Sequence, residues 1–363
     1  MAKKILGIDI GYDQLKLALC QGRRVLKTAV ASMPENLLRE GQVTSPEAMS
    51  ELIRRTMKEN KIRANLAALV LPNEAVYVKN VEMPEMTIDQ LVYNLPFEFN
   101  DYITGEVREY VFDYAVLSSE EKKEDIGSKS SVQDEEGFED KEEVPTMELL
   151  AVSTRRELLE NAQFFLRKAG LKLKIAAPAV CSYISLIRAR GDSLYLTAEE
   201  FCVLDMGYSS FRMYMFRKDR HVVTRILDIG LSNLNNVLAD IFGVDVHLAH
   251  TYLMSNYENC QYHEECMSSY ENIAVELMRA LNFYRFSNPD STLSDMWLCG
   301  GGAVIKPLRD TIVDMLDIEL HRAEELVPEG NNVEECYSFL QAIGITLQES
   351  GKSGNTRRPG GRK

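Results

Sequence analysis

The sequence has no run of about eighteen consecutive apolar residues, so nothing in it reads as a membrane-spanning helix. Its start, Met-Ala-Lys-Lys-Ile-Leu-Gly-Ile-Asp-Ile-Gly, carries only a short apolar run. That run is broken by Asp9, a carboxylate that a secretory signal would not hold, and a cytoplasmic address is expected. A surplus of positive charge is also missing. With 41 Lys and Arg against 55 Asp and Glu the net charge is −14, which argues against nucleic acid as a partner. The seven cysteines show no paired spacing and sit mostly within apolar runs, so they are expected to be reduced core residues and not a disulfide framework. Gly-x-Ser-x-Gly, His-Glu-x-x-His and Gly-x-x-x-x-Gly-Lys-Ser do not occur, which removes the commonest hydrolase and P-loop signatures.

What the sequence has is length for about two domains and a sharp change of composition inside the first half. From Glu120 to Glu143 there are eleven acidic residues, four lysines and almost no apolar residue. Such a segment cannot bury enough surface to offset its ordering entropy and is expected to be a disordered loop. Strand-like runs flank it, Tyr110 to Leu117 before and Met147 to Ser153 after, so a hairpin is expected. From Lys352 onward the end of the chain carries five basic residues and no acidic one, a flexible basic tail.

Between these segments strands and helices alternate, the pattern of an α/β protein. Lys4–Ile10 and Leu15–Leu19 read as strands joined by a turn at Gly11, followed by a third strand from Arg24. A helix capped by Ser45 and a buried strand, Leu66–Leu71, come next. The same order returns later: Glu200–Met206, a turn at Gly207, Phe211–Phe216, a third strand from Arg220 and a helix from Ser232. Asp9-x-Gly11 and Asp205-x-Gly207 therefore occupy equivalent places in two similar halves.

A tight turn after a strand exposes backbone amides, and glycine lets them approach a ligand closely. The Asp before each turn can organise Mg²⁺ through water. Two such turns facing each other could clamp a triphosphate. A third glycine element, Gly300-Gly301-Gly302, lies between an apolar strand and a helix and would admit a base or phosphate.

These motifs in this order resemble the actin-like superfamily that includes actin, sugar kinases and FtsA, and within it the PilM family of type IV pilus assembly proteins. The resemblance covers roughly residues 3 to 348. It implies a two-lobed actin-like (ribonuclease H-like) α/β fold with an inserted FtsA/PilM-type subdomain. The first lobe is expected over 1–80 and 172–198, the insertion over 81–171 with its acidic loop at 118–144, the second lobe over 199–348 with an outer part at 231–290, and the tail over 349–363. Its nucleotide contacts are carried onto Asp9, Gly11, Lys16, Asp205, Gly207, Ser209, Ser210, Gly230, Gly300, Gly301 and Gly302, with ATP as cofactor and Asp9 and Asp205 organising Mg²⁺. It implies no catalytic residue. The implied role is a scaffold that binds the cytoplasmic N-terminal peptide of a PilN-like bitopic membrane protein, alongside other pilus-assembly components, at the inner face of the membrane. Leu95, Pro96 and Phe97 lie near the implied peptide groove.

The chain departs from the family pattern at Tyr12 and Asp13, at Phe211 and Arg212, and at His250 and Leu253, so nucleotide binding is expected to be weakened or lost. An active ATPase or small-molecule kinase of the same superfamily, and an FtsA-like division filament protein, are the alternatives. Cys260, His263 and Cys266 would lie along one helix face, where partial metal coordination competes with a plain polar connection.

Overall fold

A computed structural model describes residues 2–119, 145–191 and 198–348. The acidic segment, at 120–144, and the basic tail, at 349–363, lie outside the described residues. These residues fall into two compact units, one of 2–74 with 159–348 and one of 75–158.

In the larger unit the chain begins with β1 (Lys4–Ile10), β2 (Gln14–Gln21) and β3 (Arg24–Ser32), an antiparallel meander. A short ribbon, β4 (Leu38–Arg39) with β5 (Gln42–Val43), leads to α1 (Pro46–Glu59). Ser45 caps α1 by accepting from the Ala48 amide, as the Ser-Pro-Glu start predicts. The apolar run β6 (Leu66–Leu71) then pairs parallel to β1, buried on both faces.

The smaller unit is a three-stranded antiparallel sheet of β7 (Val76–Pro84), β8 (Tyr110–Ser119) and β9 (Thr146–Arg155), with β9 in the middle. The expected pairing of the strands that flank the acidic segment is present, Tyr110 opposite Arg155 through Ser119 opposite Met147. Helix α2 (Ile88–Asn94), started by a Thr87–Gln90 capping box, and a following 3-10 turn, Leu95–Phe99, place Leu91, Leu95 and Phe99 into the core with Val81, Met83 and Leu149.

After α3 (Arg156–Lys168), β10 (Lys172–Pro178) completes the first sheet, with order β10-β6-β1-β2-β3. Helix α4 (Ala179–Arg190) follows. The second sheet begins with the meander β11 (Glu200–Met206), β12 (Phe211–Arg217) and β13 (Arg220–Leu227). Three helices come next, α5 (Leu231–Phe242), α6 (Val246–Ser255) and α7 (Glu264–Ser287). Then β14 (Asp295–Cys299), α8 (Lys306–Met315) and β15 (Glu319–Arg322) give the order β13-β12-β11-β14-β15. Strand for strand this repeats the first sheet: a central strand, β1 or β11, has an antiparallel meander on one side and parallel neighbours on the other.

The last helix, α9 (Leu340–Leu347), packs on the first sheet. It approaches so closely at Gly7 that a Cβ there would lie 1.7 Å from the Ala342 carbonyl oxygen. Only glycine permits that approach. Among the described residues no helix is long and apolar enough to cross a membrane.

Candidate functional site

The ends of β1 and β11 meet the same cavity, of about 530 Å³, within the larger unit. Asp9, Gly11 and Lys16 line it from the first sheet, and Asp205, Gly207, Ser209 and Arg212 from the second, joined by Gly301. Seven of the residues expected to contact nucleotide therefore come together: Asp9, Gly11, Lys16, Asp205, Gly207, Ser209 and Gly301. The other four do not line the cavity. Ser210 is buried, and Gly230 stands at the N-terminus of α5, where a Cβ would meet the Tyr208 carbonyl at 2.2 Å. Gly300 has φ +81°, and a Cβ there would lie 2.6 Å from Asp205 Oδ1. Gly302 packs on Met206. These glycines shape the loops behind the cavity wall.

Each carboxylate faces a cation across its own β-ladder: Asp9 stands opposite Lys16 and Asp205 opposite Arg212. Lys16 Nζ is 3.7 Å from Asp9 Oδ2. Burial pushes the Asp9 carboxyl above the ordinary carboxylate range, with Lys16 and Arg212 opposing the rise and Asp205 adding to it. Asp205 Oδ2 accepts a 2.7 Å hydrogen bond from Gln341 Nε2, and the same Gln341 nitrogen donates to Tyr183 at 3.1 Å. Arg212 forms an ion pair with Glu74, the residue just beyond β6 and its Pro72-Asn73 turn. Beside it, Asn73 Nδ2 donates to Tyr214 at 3.1 Å.

The residues expected to depart from the family pattern have partners of their own. The Tyr12 hydroxyl accepts from the Gly41 amide at 2.9 Å. Asp13 lies 3.3 Å from His250 Nε2, and His250 Nδ1 is 3.2 Å from Asn235 Nδ2. Phe211 is fully buried in the core of the second sheet. Leu253 is likewise buried, while His250, Thr251, Met254 and Ser255 line the cavity along one face of α6. Spacings of one, four and five residues put those four side by side, and Leu253 falls on the core side of the helix.

Glu74, Gln341, Tyr337 and the α6 hydroxyls Thr251 and Ser255 are cavity residues that the motifs do not reveal as contacts. Their place depends on which chain ends the two sheets bring together. Phase along α6 was the one available signal, since Thr251 and Ser255 are polar at a four-residue interval.

A Mg²⁺ ion held through water by Asp9 and Asp205 would have to share these carboxylates with groups already beside them. Asp9 and Asp205 each have a neighbouring donor, and two fixed cations, Lys16 and Arg212, line the same cavity.

The arrangement imagined for Cys260, His263 and Cys266 is not present. Cys260 lies in a 3-10 turn, His263 is extended at the break before α7, and only Cys266 is in that helix. Cys260 Sγ is engaged with the Tyr252 carbonyl at 3.2 Å, and His263 pairs with Glu265. Burial pushes the Cys266 thiol up to about 11. Among the described residues the one group of possible ligand atoms within 4.8 Å is Asp295, Glu319 and His321, away from the cavity. There His321 is held by Asp295 at 2.6 Å and stacks on Trp297.

In the smaller unit Leu95 is a core residue, 2% exposed, Pro96 is half-buried and Phe97 is 57% exposed. Phe97 packs edge-on against Tyr93, and with Ile88 and Val92 they form an apolar stripe on α2 and its following turn.

A family model for "Type IV pilus assembly protein PilM" matches residues 7–129 and 137–327. Among solved structures the chain is similar to one in a PilM-PilN type IV pilus biogenesis complex. The TM-score is 0.73 at 23% identity, over 94% of this chain and 97% of that one. It is also similar to the ethanolamine utilization protein EutJ from Carboxydothermus hydrogenoformans. Here the TM-score is 0.56 at 14% identity, over 94% and 88% of the two chains. The fold is the actin-like α/β fold that the paired Asp-x-Gly turns anticipate.

Proposed function

The chain belongs to the type IV pilus assembly PilM family, and from that premise we propose that it is a scaffold protein of pilus assembly that binds a PilN-like partner. The family match is the observation that carries this reading. The ligand is the short cytoplasmic N-terminal peptide of a bitopic inner-membrane protein, and through it the scaffold is held at the inner face of the membrane beside other assembly components. The exposed Tyr93 and Phe97 support the reading, because an extended peptide gains most of its affinity from apolar pockets and backbone pairing. Co-expression with the PilN-like protein of the same genome, followed by affinity purification, tests it. The partner should be retained, and should be lost when its cytoplasmic segment is deleted.

In this reading the cavity holds ATP without turning it over. Asp9, Asp13, Glu74 and Asp205 each have a cationic, imidazole or amide partner, and this favours a holding role over an acid–base one. A phosphate-release assay should show negligible steady turnover, and sustained release would return the ATPase or kinase alternative.

A further inference from the structure

Lys16 and Arg212 hold equivalent positions in the two sheets, each directly across the ladder from the carboxylate at the end of a central strand. Both line the cavity. The site thus carries two fixed cations where the two Asp-x-Gly turns converge. A divalent cation placed between Asp9 and Asp205 would share their field with both of these charges. It would also have to compete for Asp205 with Gln341, whose amide already donates to Oδ2.

Arg212 is not idle. It is ion-paired to Glu74, yet its Nε is buried with no hydrogen-bond partner among the described residues. A buried, unpaired guanidinium N–H is costly and leaves Arg212 with a hydrogen-bond donor that Glu74 does not satisfy. Glu74 offers Arg212 a planar carboxylate, and a phosphate presents the same acceptor geometry with more charge and more oxygens.

We infer that Arg212 is the phosphate-binding cation of this cavity, that Glu74 is the internal anion a ligand phosphate displaces from it, and that the site takes the polyphosphate chain of a nucleotide without a divalent cation. This rests on the cavity being a nucleotide site. Lys16 and Arg212 then approach the phosphates from opposite sheets, doing through side chains what a bound metal does by bridging. The released Glu74 lies next to the chain turn at Pro72-Asn73 and is only partly buried, so it can move toward solvent at small cost.

Isothermal titration with ATP, once with Mg²⁺ and once with EDTA, tests the inference on the full chain. The two affinities should agree within about threefold. In EDTA, Arg212→Gln should weaken ATP binding by about 10- to 100-fold, the loss of one charge-assisted pair. Arg212→Lys keeps the charge without the fork and should fall between. Glu74→Gln, which removes the competing anion, should tighten binding by about 3- to 10-fold. Inorganic tripolyphosphate should show the same order among the variants, and thermal melting should show each one folded. Binding of ATP only with Mg²⁺ overturns the inference and leaves the nucleotide site standing. Binding in neither condition overturns both. Equal affinity of Arg212→Gln and the unmodified protein in EDTA also overturns it.

Discussion

Asp13 and His250 meet across the cavity, His250 Nε2 lying 3.3 Å from Asp13 Oδ2, and so two residues that the sequence singles out separately are halves of one contact. Asp13 belongs to the turn between β1 and β2, and His250 to α6. The pair ties the turn of the first sheet to the helices that follow the second along the cavity wall, with Asn235 bonded to the other imidazole nitrogen. A carboxylate that would repel a phosphate is thereby turned toward a partner.

The first prediction is that this contact is energetically coupled. In a double-mutant cycle of Asp13→Asn and His250→Ala, followed by urea denaturation, the coupling should be about 0.5–2 kcal/mol at pH 6. Additive single effects would mean that the two side chains do not sense each other.

His221, on β13, gives a pH dependence with a definite sign. It is buried beside Phe216 and bonded to Thr224, and burial pushes its imidazole down to about 4. The unfolded chain takes up a proton near pH 6.5 and the folded one does not until about 4, so acid favours unfolding. The stability tied to keeping His221 neutral is complete above pH 6.5 and is lost as the pH falls toward 4, a total of about 3 kcal/mol. His221→Leu should flatten the stability profile between those values. An unchanged slope in chemical denaturation at pH 7, 6 and 5 would contradict the assignment.

Gly7 and Gly301 should respond very differently to a methyl group. At Gly7 the new Cβ would strike the backbone of α9 at 1.7 Å, so the helix must leave its seat on the first sheet. Gly7→Ala should cost about 3 kcal/mol or more. At Gly301 the nearest atom is the end of the Leu231 side chain at 3.1 Å, which can shift, and Gly301→Ala should cost less than about 1 kcal/mol. Urea midpoints measure both, and similar losses would show that the close packing of α9 is not what glycine secures.

Much of the fold was legible because its signals are local. Alternation in β1 and β2, the continuous apolar run of β6, the Ser45 cap and the two Asp-x-Gly turns are each set within a few residues. Recurrence of the same order after Glu200 then fixes the relation of the two sheets. The electrostatics of the cavity were not legible in this way. Glu74 and Arg212 are 138 positions apart, and Asp205 and Gln341 are 136 apart, so no spacing rule connects them. Cys260, His263 and Cys266 misled for a local reason: three-residue spacing suggests a shared helix face, but the backbone breaks at His263 before α7 begins. Leu95, Pro96 and Phe97 are adjacent in sequence yet differ in exposure, because the 3-10 turn rotates Leu95 inward and Phe97 outward.

The scaffold role is tested most directly by fluorescence anisotropy with a labelled peptide copying the cytoplasmic N-terminal segment of the PilN-like protein from the same genome. The peptide should bind saturably. Phe97→Asp, which changes an exposed side chain, should weaken binding at least about tenfold while leaving the melting temperature within a few degrees. Gly301→Asp, which alters the cavity of the larger unit, should leave peptide affinity unchanged. Absence of detectable binding of that peptide to the folded, unmodified protein at any concentration would contradict the adaptor role.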